Sequence, residues 1–339
     1  MILAGCGEPP KEAPGGADGG AKFSACMVTD IGGVDDRSFN SSAWAGMQAA
    51  AKSGDNVEVD YVTSESENDY EPNLQQQVDN DCDLIVAVGG LMADATAKVA
   101  EQNPDQQFAI VDANVPADNV YSMEFNTAQS SFQAGYLAAA MSKAGKVATY
   151  GGLKIPPVTI FMDGFAEGVG HYNKTKKKNV KVLGWNPDSQ DGSFAESFTD
   201  QAKGRALTEN FVDQGADVVF PVAGGTGLGT ASAAKESNGK LSTIWVDFDG
   251  CDAVKEFCST FMTSVVKNIP DAVETAVTRA ADGDKGGSFL GTLDNQGTFL
   301  APYHEWESKV PAELQDEVEQ LKEDIVSGKI KIASKAQPK

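Results

Sequence analysis

The sequence lacks several features on which common functions depend. Its 339 residues contain no apolar run of about 18 residues, which is the minimum for a membrane-spanning helix. Its 27 basic residues stand against 49 acidic ones, which gives a net charge of −22. Because nucleic acids and anionic membrane surfaces both require a basic patch, this charge argues against either as a partner.

Motifs of phosphate binding and of catalysis are also missing. There is no GxxxxGK[ST] loop and no Gly-x-Ser-x-Gly elbow, and the only histidines are His171 and His304. The stretch Gly224–Gly229 resembles a dinucleotide fingerprint, but Thr230 stands where the third glycine is required. We therefore expect a binding protein with no cofactor and no catalytic residue, in which the glycines allow a close approach to a ligand.

The first residues resemble the end of a bacterial lipoprotein signal. Leu3-Ala4-Gly5-Cys6 matches the lipobox, although the charged region and most of the apolar region of a signal peptide are missing, so we expect the true start to lie upstream. Residues 7–21 are rich in Gly, Pro and Ala, which predicts a flexible tether. We expect a lipid on Cys6 to hold the protein outside the bacterial cytoplasmic membrane.

Four further cysteines predict disulfides, because an even number is typical of exported proteins. Cys251 and Cys258 would close a short loop, and Cys26 and Cys82 precede or begin predicted strands that could be neighbours. The alternative is a zinc site, which is weakly supported because the chain has two histidines and no Cys-x-x-Cys pair. We therefore expect no metal.

Strand-like and helical segments alternate along the chain. Two sets of about five apolar runs are bounded by Gly or Asp, as in buried parallel strands. Amphipathic segments such as 130–143, 270–282 and 310–326 separate them or follow them. This alternation predicts an α/β fold with two doubly wound parallel-sheet lobes and a cleft between them.

Polar turns follow the predicted strands, at the edge where open α/β sheets bind ligands. The first such turn runs from Asp30 to Asn40 and contains Gly32-Gly33 and an aromatic ring, Phe39. A flat ring beside carboxylates and an amide suits a stacked, hydrogen-bonded heterocycle. An ordinary glycine turn before a capped helix explains the turn alone equally well.

The motifs as a set resemble one family. The segments MVTDIGGVDDRSFNSSAWAGMQAA, FQAGYLAAAMSK, GADVVFPVAGGTGLG and IWVDFDG are similar, in order, to those of the basic membrane protein (PnrA-like) family. The likeness covers about Ala25 to Ile330. The family comprises substrate-binding lipoproteins of ABC importers, several of which bind purine nucleosides. The resemblance therefore implies a type I periplasmic-binding-protein fold with a nucleoside between the lobes.

The resemblance also implies ligand-binding residues. The base would be contacted by Asp30 and Asn40 and stacked between Phe39 and Phe198. The ribose would be held by a second set of residues, namely Asp112, Gly225, Asp247 and Lys267. Asp249 is a further candidate, because this chain reads Asp-Phe-Asp-Gly where the family often has Asp-x-Asp-Gln. The sequence leaves open whether Asp247 or Asp249 faces the ribose.

The expected organisation is a tether over residues 1–21 followed by two interleaved lobes. Residues 22–126 with about 255–285 would form the first lobe, and 127–254 with about 286–330 the second. We expect a monomer that binds a nucleoside and delivers it to ABC permease subunits. The alternatives are a receptor of the same fold for a sugar, a flavin or a peptide-like signal, and an extracellular nucleoside-processing enzyme.

Overall fold

The computed structural model describes residues 22–54 and 56–338. Cys6 and the tether lie outside the described residues. Within these ranges, none of the helices combines the length and the apolar character that crossing a bilayer requires.

The strands and helices alternate as the sequence predicts. The strands are Phe23–Ile31 (β1), Val57–Ser64 (β2), Leu84–Val88 (β3), Gln107–Val111 (β4), Val120–Phe125 (β5), Lys146–Gly151 (β6), Lys181–Leu183 (β7), Trp185–Asn186 (β8), Asp191–Gly192 (β9), Val218–Val222 (β10), Ser242–Asp247 (β11), Phe261–Lys267 (β12), Gly287–Gly291 (β13) and Thr298–Leu300 (β14). The helices are Phe39–Ser53 (α1), Tyr70–Asp79 (α2), Ala93–Gln102 (α3), Ala128–Met141 (α4), Pro156–Lys176 (α5), Gln201–Asp213 (α6), Leu228–Glu236 (α7), Gly250–Ala253 (α8), Ile269–Ala281 (α9) and Ala312–Val326 (α10).

Two six-stranded sheets form the two lobes, which confirms the predicted fold class. The first has the order β13-β5-β4-β3-β1-β2 and is parallel throughout. The second has the order β14-β12-β11-β10-β6-β7, in which β14 alone pairs antiparallel. Every residue of β3 and of β10 is buried. Burial on both faces explains why these strands are continuous apolar runs without alternation.

Strand pairing shifts the predicted limits of the segment that returns to the first lobe. β12 lies in the second sheet beside β11, although residues 261–267 were expected in the first lobe. β13 pairs with β5 in the first sheet, although residues 287–291 were expected in the second lobe. The order of strands along the chain does not reveal which strands become neighbours. We propose 22–126 with 268–291, and 127–267 with 292–338, as the two lobes.

One predicted strand is divided in the structure. The apolar run over 180–185 forms a strand only as far as Leu183, because Gly184 adopts φ 80° and breaks the extended backbone. Trp185 then pairs with Gly192 in a small antiparallel hairpin. The apolar run therefore supplies two short elements.

Glycines allow helices α4 and α5 to pack closely in the second lobe. A Cβ atom on Gly135 would lie 2.0 Å from the Phe165 carbonyl oxygen, and one on Gly168 would lie 2.0 Å from the Phe132 oxygen. No larger side chain fits such distances. This contact anchors α5, whose first turn reaches the cleft between the lobes.

Both predicted disulfides are present. Cys26 on β1 is bonded to Cys82, which lies just before β3, and β1 and β3 are paired neighbours. Cys251 is bonded to Cys258, closing a loop that contains α8 and the first residues of the short 3-10 segment Lys255–Thr260.

Candidate functional site

A pocket lies between the lobes at the carboxyl ends of strands from both sheets. The structure brings eight of the nine residues predicted to bind a ligand to its wall, namely Asp30, Phe39, Asn40, Asp112, Phe198, Gly225, Asp247 and Lys267. They follow or end strands β1, β4, β10, β11 and β12, apart from Phe198, which lies in the segment before α6. Residues more than 200 positions apart in sequence are therefore neighbours in this pocket.

Asp249 lies outside the pocket wall, apart from the other eight residues predicted to bind the ligand. Its Oδ1 accepts a hydrogen bond from the backbone N of Cys251 at 3.0 Å, which caps α8. Its Oδ2 lies 2.7 Å from His304 Nε2. Of the two carboxylates in Asp-Phe-Asp-Gly, Asp247 therefore faces the pocket, and Asp249 turns back to its own helix.

Asp249, His304 and Cys251 bring potential metal-ligand atoms within 4.8 Å of one another. Cys251 Sγ is bonded to Cys258. A metal would need a thiolate from Cys251, so this group as it stands is a capped helix start beside a disulfide.

The turn between β1 and α1 forms part of the pocket wall. The Asp36 carboxylate accepts from the backbone N of Ser38, Asn40 and Ser41 at 2.7 to 3.0 Å, so it caps α1. The Asn40 amide Nδ2 donates to Asp30 Oδ1 at 2.7 Å. Asn40 Oδ1 is buried and has no hydrogen-bond partner among the described residues. A buried polar atom of this kind is costly unless it is paired, which marks it as a contact for a ligand.

Burial raises the pKa of Asp30 to about 8, and the carboxylates of Asp36, Asp112 and Asp247 add to this shift against the bond from Asn40. The side chain is therefore largely protonated at neutral pH. A protonated carboxyl group donates one hydrogen bond. Asp30 and Asn40 thus offer a donor and an acceptor side by side.

Gly89 makes room for Asp30. The backbone of Gly89 adopts φ 122°, and a Cβ atom there would lie 2.7 Å from Asp30 Oδ2. Because both the conformation and the space exclude a side chain, this glycine is required at the end of β3.

A buried ion cluster on the pocket wall joins the lobes. Lys267 Nζ, at the end of β12, lies 2.6 Å from Asp112 Oδ2 of the first lobe and 3.6 Å from Asp247 Oδ1 of the second. Burial opposes the charge on Lys267, but the two carboxylates outweigh it and raise the pKa of the ammonium group. The cluster thus combines one cation with two hydrogen-bond acceptors.

Asp112 and Asp247 have the same unusual backbone conformation. Asp112 has φ 67° at the end of β4, and Asp247 has φ 66° at the end of β11. This left-handed region is strained for residues with a Cβ and is found at sites that hold a side chain in a fixed direction. Each lobe therefore contributes one carboxylate from an equivalent place in its sheet.

Aromatic rings from both lobes also line the pocket. Phe39 comes from the first lobe, and Phe198 comes from the second, where its ring packs against Gly152. The ammonium group of Lys267 lies 5.1 Å from the ring centroid of Phe39 and 5.1 Å from that of Phe161. These distances are within the range of cation–π contacts.

Several residues of the pocket wall were not predicted. Ile155, Pro157, Val158 and Phe161 reach it from the start of α5, and Leu91 reaches it from the first lobe. The Ile-Pro-Pro run before a helix indicates a turn there, and it carries no chemical group that identifies a ligand contact. Apolar wall residues of this kind are indistinguishable in sequence from core residues.

The fold and the pocket define a two-lobed solute-binding protein. Residues 23–336 match the family described as ABC transporter substrate-binding protein PnrA-like. The chain belongs to this family, which confirms the resemblance seen in its motifs. The family description is that of a binding component rather than an enzyme.

Two relatives and one solved structure illustrate the match. The chain is 36% identical to the CD4+ T-cell-stimulating antigen of Listeria monocytogenes, over 99% of this chain and 95% of the relative. It is 31% identical to the ABC transporter nucleoside-binding protein BmpA of Lactococcus lactis subsp. cremoris, over 98% and 95%. A solute-binding protein of an ABC transporter system from Aeropyrum pernix K1 superimposes with a TM-score of 0.82 at 26% identity, covering 92% of this chain and 93% of that one.

Proposed function

We propose that the protein is an extracytoplasmic receptor that binds a purine nucleoside between its lobes and delivers it to the permease subunits of an ABC importer. The observation that carries this proposal is the combination of groups on the wall of one pocket between the lobes. The wall combines a donor–acceptor pair, aromatic rings from both lobes and a cation with two carboxylates. The nucleoside-binding relative from Lactococcus lactis supports the same ligand class.

The pair formed by Asp30 and Asn40 suits the edge of a purine base. The Asp30 carboxyl group supplies a donor, and the unpaired Asn40 Oδ1 supplies an acceptor. Purine edges present acceptors and donors next to each other, so two adjacent bonds can form in one plane. Phe39 and Phe198 then contribute ring faces from opposite lobes, which favours a flat ligand.

The cluster of Lys267 with Asp112 and Asp247 suits a ribose. Its 2′- and 3′-hydroxyl groups donate to carboxylates, and Asp112 and Asp247 hold acceptors on the two sides of Lys267. The lysine in turn donates to a sugar oxygen. A 2′-deoxyribose removes one donor and leaves a buried acceptor unpaired, which costs about 1–3 kcal/mol.

Binding without chemical change is part of the proposal. The described residues of the pocket wall include no histidine, cysteine, serine or threonine. His171 packs beside Phe132 and Tyr136, and His304 is bonded to Asp249. The ionisable groups of the wall are aspartates and Lys267, to which this proposal gives the role of hydrogen-bond partners for the ligand.

In this proposal, the lipobox determines where in the cell the protein is located. Cys6 would carry the lipid, and the tether would let a monomeric domain reach the permease from the membrane surface. Only the lipid would enter the bilayer.

Analysis of the bound ligand tests the proposal directly. Protein purified in its folded state is denatured with acid, and the released small molecules are identified by mass spectrometry. We expect a purine nucleoside in amounts comparable to the protein. A sugar, a flavin or a peptide recovered in that amount would overturn the assignment of the ligand and leave the family unchanged.

A further inference from the structure

We infer that Arg37 and Ser38 form a closure contact, which holds the lobes together and orients Asp247 without touching the ligand. Neither side chain lies on the pocket wall. Both belong to the first lobe, and both bond to groups of the second. The inference deepens the proposed function, because it rests on a ligand enclosed by the two lobes.

The buried half of this contact is the Ser38 hydroxyl group. Ser38 has no exposed surface, and its Oγ lies 3.2 Å from Asp247 Oδ2 and 3.4 Å from the Val246 carbonyl oxygen. These hydroxyl contacts cross the cleft, whereas the Ser38 backbone is bonded within its own lobe. Opening the lobes breaks them and leaves Asp247 without this donor. Ser38 is therefore a positioning residue for a carboxylate of the pocket.

The exposed half is an ion pair at the surface of the cleft. Arg37 Nη1 donates to Glu256 Oε1 at 2.9 Å, and about half of each side chain is exposed. Arg37 has φ 55°, in the left-handed region. Its direction is fixed by the same turn that places Ser38 and the residues contacting the ligand.

The loop that carries Glu256 is fastened to the second lobe. It lies between Cys251 and Cys258, which are joined by a disulfide, and Lys235 Nζ donates to the Glu256 carbonyl oxygen at 2.9 Å. Because the loop is held in this way, it loses little conformational freedom when the Glu256 carboxylate pairs with Arg37. The disulfide thus presents a preorganised acceptor to the first lobe.

The contact lies at different distances from the three places where the chain crosses between the lobes. The chain crosses between the lobes after β5, after β12 and after β13, and β5 and β13 lie at one edge of the first sheet. The turn after β1 is four strand positions from β13, which is about 19 Å at the usual spacing of strands. In the second sheet, by contrast, Asp247 ends β11 beside β12, after which the chain crosses, so the contact is close to this crossing and far from the other two.

The kinetic test uses stopped-flow binding of inosine. We expect Ser38→Ala to raise the dissociation rate about tenfold, because it removes a donor from a buried carboxylate. We expect Arg37→Ala to raise it about two- to fivefold, as for an exposed ion pair. Association rates should stay nearly unchanged. Ser53→Ala and Arg279→Ala are matched controls, since their bonds lie within the first lobe, and both should leave the rates as they are.

Exchanging the charges of Arg37 and Glu256 tests the ion pair separately from the packing that truncation to alanine removes. Arg37→Glu should raise the dissociation rate, and adding Glu256→Arg should restore much of the loss. Replacing Cys251 and Cys258 together by serine should act like Arg37→Ala and add nothing to it. If the exchanged pair is no better than Arg37→Glu alone, Arg37 and Glu256 do not form the contact.

A further readout separates positioning from general stability. Ser38→Ala should reduce the preference for inosine over 2′-deoxyinosine, because Asp247 loses its orientation, whereas Arg37→Ala should keep that preference. An unchanged preference in Ser38→Ala would contradict its positioning role.

A failure of the proposed function can be distinguished from a failure of this inference. If no nucleoside binds, the distance between spin labels on the two lobes of the ligand-free protein still tests the contact. We expect Ser38→Ala combined with Arg37→Glu to shift that distance towards open conformations. An unshifted distribution would contradict the inference by itself.

Discussion

At the scale of single residues, we expect a substitution of Phe39 to change ligand binding and to leave stability nearly unchanged. Its ring is half-buried at the pocket, with the Lys267 ammonium group 5.1 Å from its centroid. We expect Phe39→Ala to weaken nucleoside binding about tenfold or more, because it removes a stacking face and the associated buried area. The melting temperature of the ligand-free protein should change little. Calorimetric titration and thermal unfolding measure the two effects.

Phe108 is a suitable comparison, because its ring is 1% exposed in the core of the first lobe. Phe108→Ala should cost about 3–5 kcal/mol of stability, as truncation of a buried aromatic does. If Phe39→Ala lowers the melting temperature as much as Phe108→Ala and leaves binding intact, Phe39 belongs to the core.

Asp30 should make the ligand-free protein less stable as the pH rises. The unfolded carboxyl group ionises near its ordinary pKa of 3.8, whereas burial raises the pKa of the folded group to about 8. Between these values the native state holds a proton that the unfolded state has released, so raising the pH favours unfolding. We expect urea unfolding to show stability declining from about pH 5 to about pH 8.

Asp30→Asn should flatten this decline, since its amide stays neutral. The exposed Asp105 supplies the control, and Asp105→Asn should keep the slope of the wild-type protein. Parallel pH profiles for the wild-type protein and Asp30→Asn would show that Asp30 does not carry the effect.

The pocket residues show which kinds of ligand-binding side chain can be recognised from the sequence alone. Polar groups after buried strands, such as Asp30, Asn40 and Asp112, are visible because they interrupt apolar runs. Phe161 is not, because an aromatic on a buried helix has the same pattern whether it meets a ligand or the core. Asp247 and Asp249 differ only through local geometry, since one ends a strand in the left-handed region and the other caps a helix.

The two disulfides close loops of very different lengths. The Cys26–Cys82 bond spans 56 residues of sequence, and the Cys251–Cys258 bond spans 7. Loop entropy predicts a contribution of about 4 kcal/mol for the first and about 2 kcal/mol for the second. We expect the pair Cys26→Ala and Cys82→Ala to destabilise the protein more than Cys251→Ala with Cys258→Ala.

Urea unfolding of the two double variants under non-reducing conditions checks this order. Thiol counting on the denatured wild-type protein is the control, because the four cysteines should react only after reduction. Equal losses of stability, or a larger loss for the short loop, would contradict the entropic account.

Elements were predictable where burial on both faces makes a continuous apolar run, as in β3 and β10. The edge strands β13 and β14 were not predicted. β13 has the sequence Gly-Ser-Phe-Leu-Gly and is mostly exposed, so it shows no apolar run and forms only through its pairing with β5. The same lack of pairing information misplaced β12 among the lobes.

Attachment to the membrane is a property of the whole molecule. If Cys6 carries lipid, full-length protein should fractionate with the membrane of the bacterium that makes it. We expect Cys6→Ser to release the protein into the soluble extracytoplasmic fraction, with nucleoside binding retained. Fractionation followed by immunoblotting measures this. Retention of Cys6→Ser in the membrane would refute the lipobox as the anchor.

The central claim is that the closed molecule holds a purine ribonucleoside and returns it unchanged. Calorimetric titration of unfolded and refolded, ligand-free protein with inosine, 2′-deoxyinosine, cytidine and ribose tests it most directly, with chromatography of each mixture afterwards. We predict one site, binding inosine at least about tenfold more tightly than 2′-deoxyinosine, with inosine recovered intact. The absence of binding to every nucleoside by correctly refolded protein, or the appearance of free base and ribose, would contradict the account.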